Sequence, residues 1–143
     1  MIRKYVLTVC VALFAFFFGL AMEREPVMDA QGMARVFELR TYTTNEGKLQ
    51  ALLNRFGGGE TDLFEKHGMR GIGYWVPTEA PRSENTLVYL LAHESREAAR
   101  ASWQAFGADP AWATMRDASQ VDGRLVSNVE AMFLHPTDFS PVQ

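Results

Sequence analysis

The chain has a single cysteine, Cys10, and only three histidines in 143 residues. One thiol cannot staple a fold to itself, so stability has to come from packing. His67, His93 and His135 include no i, i+4 pair, so a helical zinc site is not expected, and neither is any other metal or cofactor. Basic runs are missing as well. Arg96 and Arg100 form the densest basic spacing, and 17 acidic residues outnumber 14 basic ones, which speaks against nucleic acid as a partner. No Gly-x-Ser-x-Gly elbow occurs, so covalent acyl transfer has no signature here. Glu60, Asp62 and Glu65 read as a solvated helix face, not a sugar-cleaving pair. Gly57, Gly58 and Gly59 have no following Lys-Ser/Thr and no strand feeding them, so they predict a hinge or kink instead of a phosphate loop.

Long apolar runs are absent except for one, the charge-free stretch from Tyr5 to Met22 behind Arg3 and Lys4. With small Gly19 and Ala21 before Glu23, it has the layout of a secretory signal cleaved after Ala21. The competing reading is a retained membrane anchor over residues 5–22, since 18 helical residues span about 27 Å against a hydrocarbon core of roughly 30 Å. The protein is therefore expected to be exported, periplasmic or secreted, or else held at the membrane by that segment. Cys10 falls inside it. Without residues 1–21 the chain keeps 122 residues, and loss of Arg3 and Lys4 leaves 12 basic against 17 acidic side chains. Residues 22–35 read as a linker, 36–136 as one domain and 137–143 as a tail.

Within the domain, Val36-Phe37-Glu38-Leu39-Arg40-Thr41-Tyr42 alternates, placing Phe37, Leu39 and Thr41 on a dry face and Val36, Glu38, Arg40 and Tyr42 on a mixed one. Thr44 or Asn45 is positioned to cap a helix carrying Leu49, Leu52, Leu53 and Phe56. After the glycines, the helical pattern resumes from Glu60 to His67, with Gly68 as its C-terminal stop. Gly71 to Val76 and Thr86 to Ala92 predict two paired strands, joined by the polar connection from Thr78 to Asn85. The second is apolar on both faces: Leu87, Tyr89 and Leu91 on one, Val88, Leu90 and Ala92 on the other. Ser95 caps a helix from Arg96 to about Phe106, Asp109-Pro110 opens a shorter one, and a last strand lies between Gly123 and Leu134.

Strand, helix, strand, strand, helix, strand is the α+β, ferredoxin-like βαββαβ order, with a four-stranded antiparallel sheet and helices on one side. The doubly apolar strand calls for cover on the other side, and a homodimer forming an α/β-barrel supplies it. The residues Val36 to Tyr42, Gly73-Tyr74-Trp75, Arg100, Trp103, Phe106, Asp109-Pro110 and Trp112 resemble the NIPSNAP family in type and order, over about residues 36–133. The resemblance implies a dimeric ferredoxin-like barrel, a fold that related families use for cofactor-free oxygenation, haem breakdown and other small-molecule chemistry. NIPSNAP domains themselves have no settled catalytic activity. The triple glycine and the leader depart from the usual members.

Arg40, Tyr42, Tyr74, Trp75 and Tyr89 are candidate ligand-binding residues, a guanidinium, phenols and an indole suited to clamping an aromatic anion. The alternative for them is packing, with Arg40 paired to Glu38 or Glu130. His67 and His93 are candidate pocket residues, against plain roles as a helix-end and a strand-end histidine. Arg100 and Asp109 are expected to form a structural salt bridge, and Trp103 and Trp112 to be buried anchors. The leading reading is an exported homodimer that binds a small apolar or aromatic anionic molecule. The alternatives are a cofactor-free monooxygenase or isomerase-like enzyme acting on a small aromatic substrate, and a purely structural interaction module.

Overall fold

The computed structural model describes residues 35–143; the expected export signal or anchor and the expected linker, up to residue 34, lie outside the described residues. Strand β1 (Val36–Thr44) leads through residues 45–48 into α1 (Leu49–Arg55), a five-residue π-turn (Phe56–Glu60) and α2 (Thr61–Lys66). Then come β2 (Arg70–Trp75), a single turn α3 (Arg82–Asn85), β3 (Thr86–His93), α4 (Arg96–Ala108), α5 (Pro110–Ser119) and β4 (Val126–Leu134). The four strands form one antiparallel sheet in the order β2-β3-β1-β4. The predicted α+β, ferredoxin-like arrangement is thus the observed one. Among the described residues no helix is long and apolar enough to cross a membrane.

Helices cover the face that carries Glu38, Arg40 and Tyr42 on β1 and Leu87, Tyr89 and Leu91 on β3. Aromatic rings dominate the core between the two layers. Phe56 meets Tyr42, Phe64, Tyr74 and Tyr89 at centroid distances of 5.3–6.1 Å, mostly edge to face, and Phe106 packs on Phe64 at 5.1 Å and Trp112 at 4.6 Å. Such pairs add about 0.5–1.5 kcal/mol each beyond the area they bury.

On the opposite, outward face lie Phe37, Leu39, Val88, Leu90, Met132 and Leu134. Part of it is covered from within the chain. The segment from His135 to Val142 runs beside Phe37, Leu90 and Leu134 around a cleft of about 230 Å³, and Phe37 is left only 4% exposed. Trp75 and Met132 stay more than half exposed on that face. On edge strand β2, Tyr74 lies along the helix side over Gly71 and Trp75 along the outward side over Gly73; a Cβ at Gly71 would collide with the Tyr74 hydroxyl, and one at Gly73 with the Trp75 ring. Only glycine lets these rings fold flat onto their own strand.

Two local expectations are corrected. Neither Thr44 nor Asn45 caps α1: Thr44 ends β1, and the Asn45 amide donates to the carbonyl of Arg124 at 2.7 Å, tying the turn to the start of β4. Lys48 occupies the cap position but its side chain does not cap the helix; its Nζ donates to the carbonyl of Asp122 at 2.9 Å. Ser95 and Asp109, in contrast, do cap α4 and α5, accepting from the amides of Ala98 at 3.0 Å and Ala111 at 2.8 Å. The second correction concerns Arg100, which meets Glu97 at 3.6 Å on the surface and not Asp109. Nine residues turn an α-helix by two and a half turns, so Arg100 and Asp109 point to opposite sides. Asp109 instead receives Lys66 at 2.6 Å and His67 at 2.8 Å, and these bonds with the Ala111 amide hold its carboxyl well below the usual range.

Candidate functional site

The mixed face of β1 puts a carboxylate, a guanidinium and a phenol in one row under α4. Glu38 is the hub. Its Oε1 accepts from Arg40 Nη1 at 2.7 Å, and its Oε2 accepts from Trp103 Nε1 at 2.7 Å and His93 Nε2 at 2.9 Å. The Glu38 side chain is 3% exposed. Burial pushes its pKa up, yet the bonds from His93 and Trp103 and the nearby Arg40 charge outweigh burial and hold it below the ordinary value. Since the carboxylate can only accept, His93 carries a proton on Nε2, and its buried Nδ1 has no hydrogen-bond partner among the described residues. Arg40 stacks over the Trp103 ring at 4.1 Å, and its buried Nε also lacks a partner among the described residues.

Beyond this hub, α4 and β4 diverge to leave an open cleft of about 520 Å³, lined by Glu38, Arg96, Glu97, Arg100, Trp103 and Phe133. Arg96, Arg100 and Trp103 follow an i, i+4, i+7 spacing, which sets them along one stripe of α4 facing Phe133. The Arg96 guanidinium lies 4.6 Å from the Phe133 ring. Two cations at the rim, two aromatic walls and a fixed carboxylate behind the indole make a surface for a flat molecule with a negative end.

A second cleft of about 250 Å³ opens further along the same edge, between β4 and α5. Tyr42, Phe106, Trp112, Val126 and Val129 wall it, with Arg55, Glu60, Arg116 and Arg124 as its charged groups. The Arg40–Trp103 stack and Ala131 on the inner face of β4 lie between the two clefts in the sheet register.

The candidate residues separate accordingly. Arg40 and His93 meet at Glu38 as the layer behind the first cleft, and Tyr42 walls the second. Tyr89 lies in the aromatic core and the exposed edge-strand Tyr74 stacks on it at 5.8 Å; desolvation raises both phenol pKa values, Tyr89 well above its usual one. Trp75 faces the other side of the sheet, and His67 is held by Asp109 away from either cleft. No single pocket brings all seven together. Trp103 and Trp112 are half-buried cleft walls and not the fully enclosed anchors expected, because β4 leaves their outer edges uncovered. The pairing of Arg40 with Glu38 was foreseen as an alternative; the convergence of His93 and Trp103 on the same carboxylate was not. A glutamate two residues from an arginine on the mixed face of β1 was the available signal for it. Among the described residues no cluster of His, Cys, Asp and Glu has the makings of a metal site.

Comparison with known proteins places this geometry. A search of curated proteins finds no match. Among solved structures, a NIPSNAP family protein of unknown function from Agrobacterium tumefaciens superposes with a TM-score of 0.66 at 23% identity, covering 78% of this chain and 96% of its own. An uncharacterised NIPSNAP domain protein from Burkholderia xenovorans gives 0.62 at 24% identity, over 74% and 98%. A cofactor-independent oxygenase from Streptomyces nogalater shares the fold at 0.51 and 14% identity, over 76% and 98%. The NIPSNAP family profile matches residues 37–141, nearly the whole domain, and the chain belongs to the NIPSNAP family.

Proposed function

We propose that this NIPSNAP protein is an exported homodimer that binds a small aromatic anion in the first cleft. The observation that carries the reading is the stripe of Arg96, Arg100 and Trp103 on α4 facing Phe133, with the indole fixed from behind by Glu38. An aromatic ring stacks between Trp103 and Phe133, and its carboxylate or sulfonate meets the two guanidinium groups. The test is fluorescence titration with 2-naphthoate. Saturable quenching, lost in Trp103→Phe and weakened about tenfold or more in Arg96→Ala/Arg100→Ala, supports the reading, since one charge-assisted contact is worth about 1.4 kcal/mol or more. Naphthoate binding that is absent up to about 5 mM, or indifferent to both arginines, refutes it.

Dimerisation rests on the outward sheet face, where Trp75 and Met132 remain more than half exposed beside Leu39, Val88 and Leu90. Export rests on the leader. Cell fractionation of the full-length protein locates it, and sedimentation gives its mass.

A second reading, a cofactor-free oxygenase, is favoured by one feature: the unpaired Nδ1 of His93, backed through Nε2 by Glu38, has the arrangement of a general base. His93 is nevertheless sealed from the first cleft, with a side chain 1% exposed. Oxygen uptake in the presence of an aromatic phenol, abolished in His93→Gln, separates turnover from binding.

A further inference from the structure

The phenylalanine, three glycines and glutamate of residues 56–60 have no part in the first cleft, yet their geometry builds the second. In an α-helix, residues i and i+5 stand about 140° apart around the axis and cannot meet. Here the amide of Thr61 donates to the carbonyl of Phe56, the i+5 pattern of a π-turn, and Gly59 takes up the mismatch at φ +128°. Its consequence is that Arg55 and Glu60, five apart, point the same way. Arg55 Nε reaches Glu60 Oε2 at 2.7 Å, with both side chains nearly fully buried. The Trp112 ring lies 4.9 Å from the same guanidinium, and Ser119 Oγ accepts from Nη1 at 3.4 Å.

That leaves the Arg55 Nη2 group without a hydrogen-bond partner among the described residues. Nearby, Arg124 is exposed and makes no side-chain bond to any described residue, while Arg116 meets only its neighbour Asp117, at 2.9 Å. Three guanidinium groups line one cleft of about 250 Å³ against a single lining carboxylate, Glu60, which Arg55 already engages. Apart from Gln120, the rest of the wall is Tyr42, Phe106, Trp112, Val126 and Val129, which suits a compact apolar body.

We propose that the second cleft is a separate binding site for a small organic oxyanion, a molecule with a phosphate or carboxylate head and a body no larger than one ring, and that the π-turn exists to place Arg55 in it. The head meets Arg55, Arg116 and Arg124, and the body rests on Trp112 and Tyr42. This site is independent of ligand binding in the first cleft.

Phenyl phosphate and benzoate serve as probes of the two head groups, and phenol as the uncharged control, titrated into the ¹⁵N-labelled protein with the tryptophan indole resonances followed. Saturation by either anion, with the Trp112 indole signal moving more than that of Trp103 and phenol binding at least about tenfold more weakly, supports the site. Arg116→Ala/Arg124→Ala should weaken the anion at least about tenfold, while Arg96→Ala/Arg100→Ala leaves it unchanged. The outcomes that overturn the proposal are no saturation by either anion, equal binding of phenol, or loss of binding through Arg96 and Arg100 instead. Both arginine pairs lie on the surface or at a rim, so the variants keep the fold. A failed naphthoate titration at the first cleft would leave this test standing.

Discussion

Glu38→Gln is the substitution that probes the hub most directly. It keeps shape and volume but removes the charge that three donors share, and an amide offers one accepting oxygen where the carboxylate offered two. If the amide oxygen turns to Trp103 and His93, its NH2 group faces the Arg40 guanidinium, donor against donor. If it turns to Arg40, two donors lose their partner. Hydrogen bonds to charged groups contribute about 1.5–3 kcal/mol each, and unpairing one member of a buried ion pair costs about 3–5 kcal/mol. Since the substitution leaves some hydrogen bonding in place, the expected loss is about 2–4 kcal/mol at neutral pH. Glu60→Gln is the internal control. Glu60 is equally buried, but only Arg55 bonds it, and burial outweighs that arginine, leaving its pKa raised. The signs then differ. The depressed pKa of Glu38 contributes stability that is present above its unfolded value near 4.5 and is lost as pH falls through the folded value. The raised pKa of Glu60 contributes stability that is present below 4.5 and is lost as pH rises through the folded value, so at pH 7 its charge is a cost. Glu60→Gln, which disturbs one donor where Glu38→Gln disturbs three, should therefore cost less than Glu38→Gln at pH 7. Urea unfolding followed by tryptophan fluorescence at pH 7 and pH 4 measures both. An equal loss for the two variants at pH 7, or a Glu38→Gln loss as large at pH 4 as at pH 7, would refute the reasoning.

Other outcomes follow from local geometry. Gly58→Ala fills open space at an ordinary helical φ and should raise stability by about 0.5–1 kcal/mol, whereas Gly59→Ala, at φ +128° with Met115 Cε 3.1 Å from the new Cβ, should lower it by about 1–3 kcal/mol; thermal melts showing the same shift for both would contradict the π-turn. Asp109→Ala removes a helix cap and the partner of Lys66 and His67 together, and should lower the melting temperature clearly, while Arg100→Ala, on an exposed pair, leaves it in place. For the proposed homodimer, Trp75→Ser/Met132→Ser should shift the sedimenting species from dimer to monomer while preserving the circular dichroism of the fold; an unchanged mass places the contact elsewhere.

What could be read in the sequence was whatever a short window determines. Alternation sorted β1 into its two faces, although it is the mixed face and not the apolar one that meets the helices; the apolar run from Leu87 to Ala92 announced β3, and Ser95 and Asp109-Pro110 announced α4 and α5. Errors arose where a distant segment competes for a side chain. Asn45 is a good cap in isolation, but the β4 entry takes its amide, so α1 starts only at Leu49. Asp109 is adjacent to the helix bearing Arg100, yet it is claimed by Lys66 and His67 from α2 and its end. The hub was hidden for the same reason: Glu38, His93 and Trp103 come from three elements, and only the pairing of β1 with β3 under α4 brings their atoms to one carboxylate. For the π-turn, three glycines signalled an interruption without saying that it would align the residues on either side.

The Arg35 guanidinium donates to the carbonyl oxygen of Gln143 at 3.2 Å, so the two ends of the domain touch. A short peptide could join them into a closed ring, and the ring could be reopened in the exposed stretch around Thr78 and Glu79. Such a circularly permuted domain would begin and end far along the chain from β1 and the tail, leaving the sheet order intact.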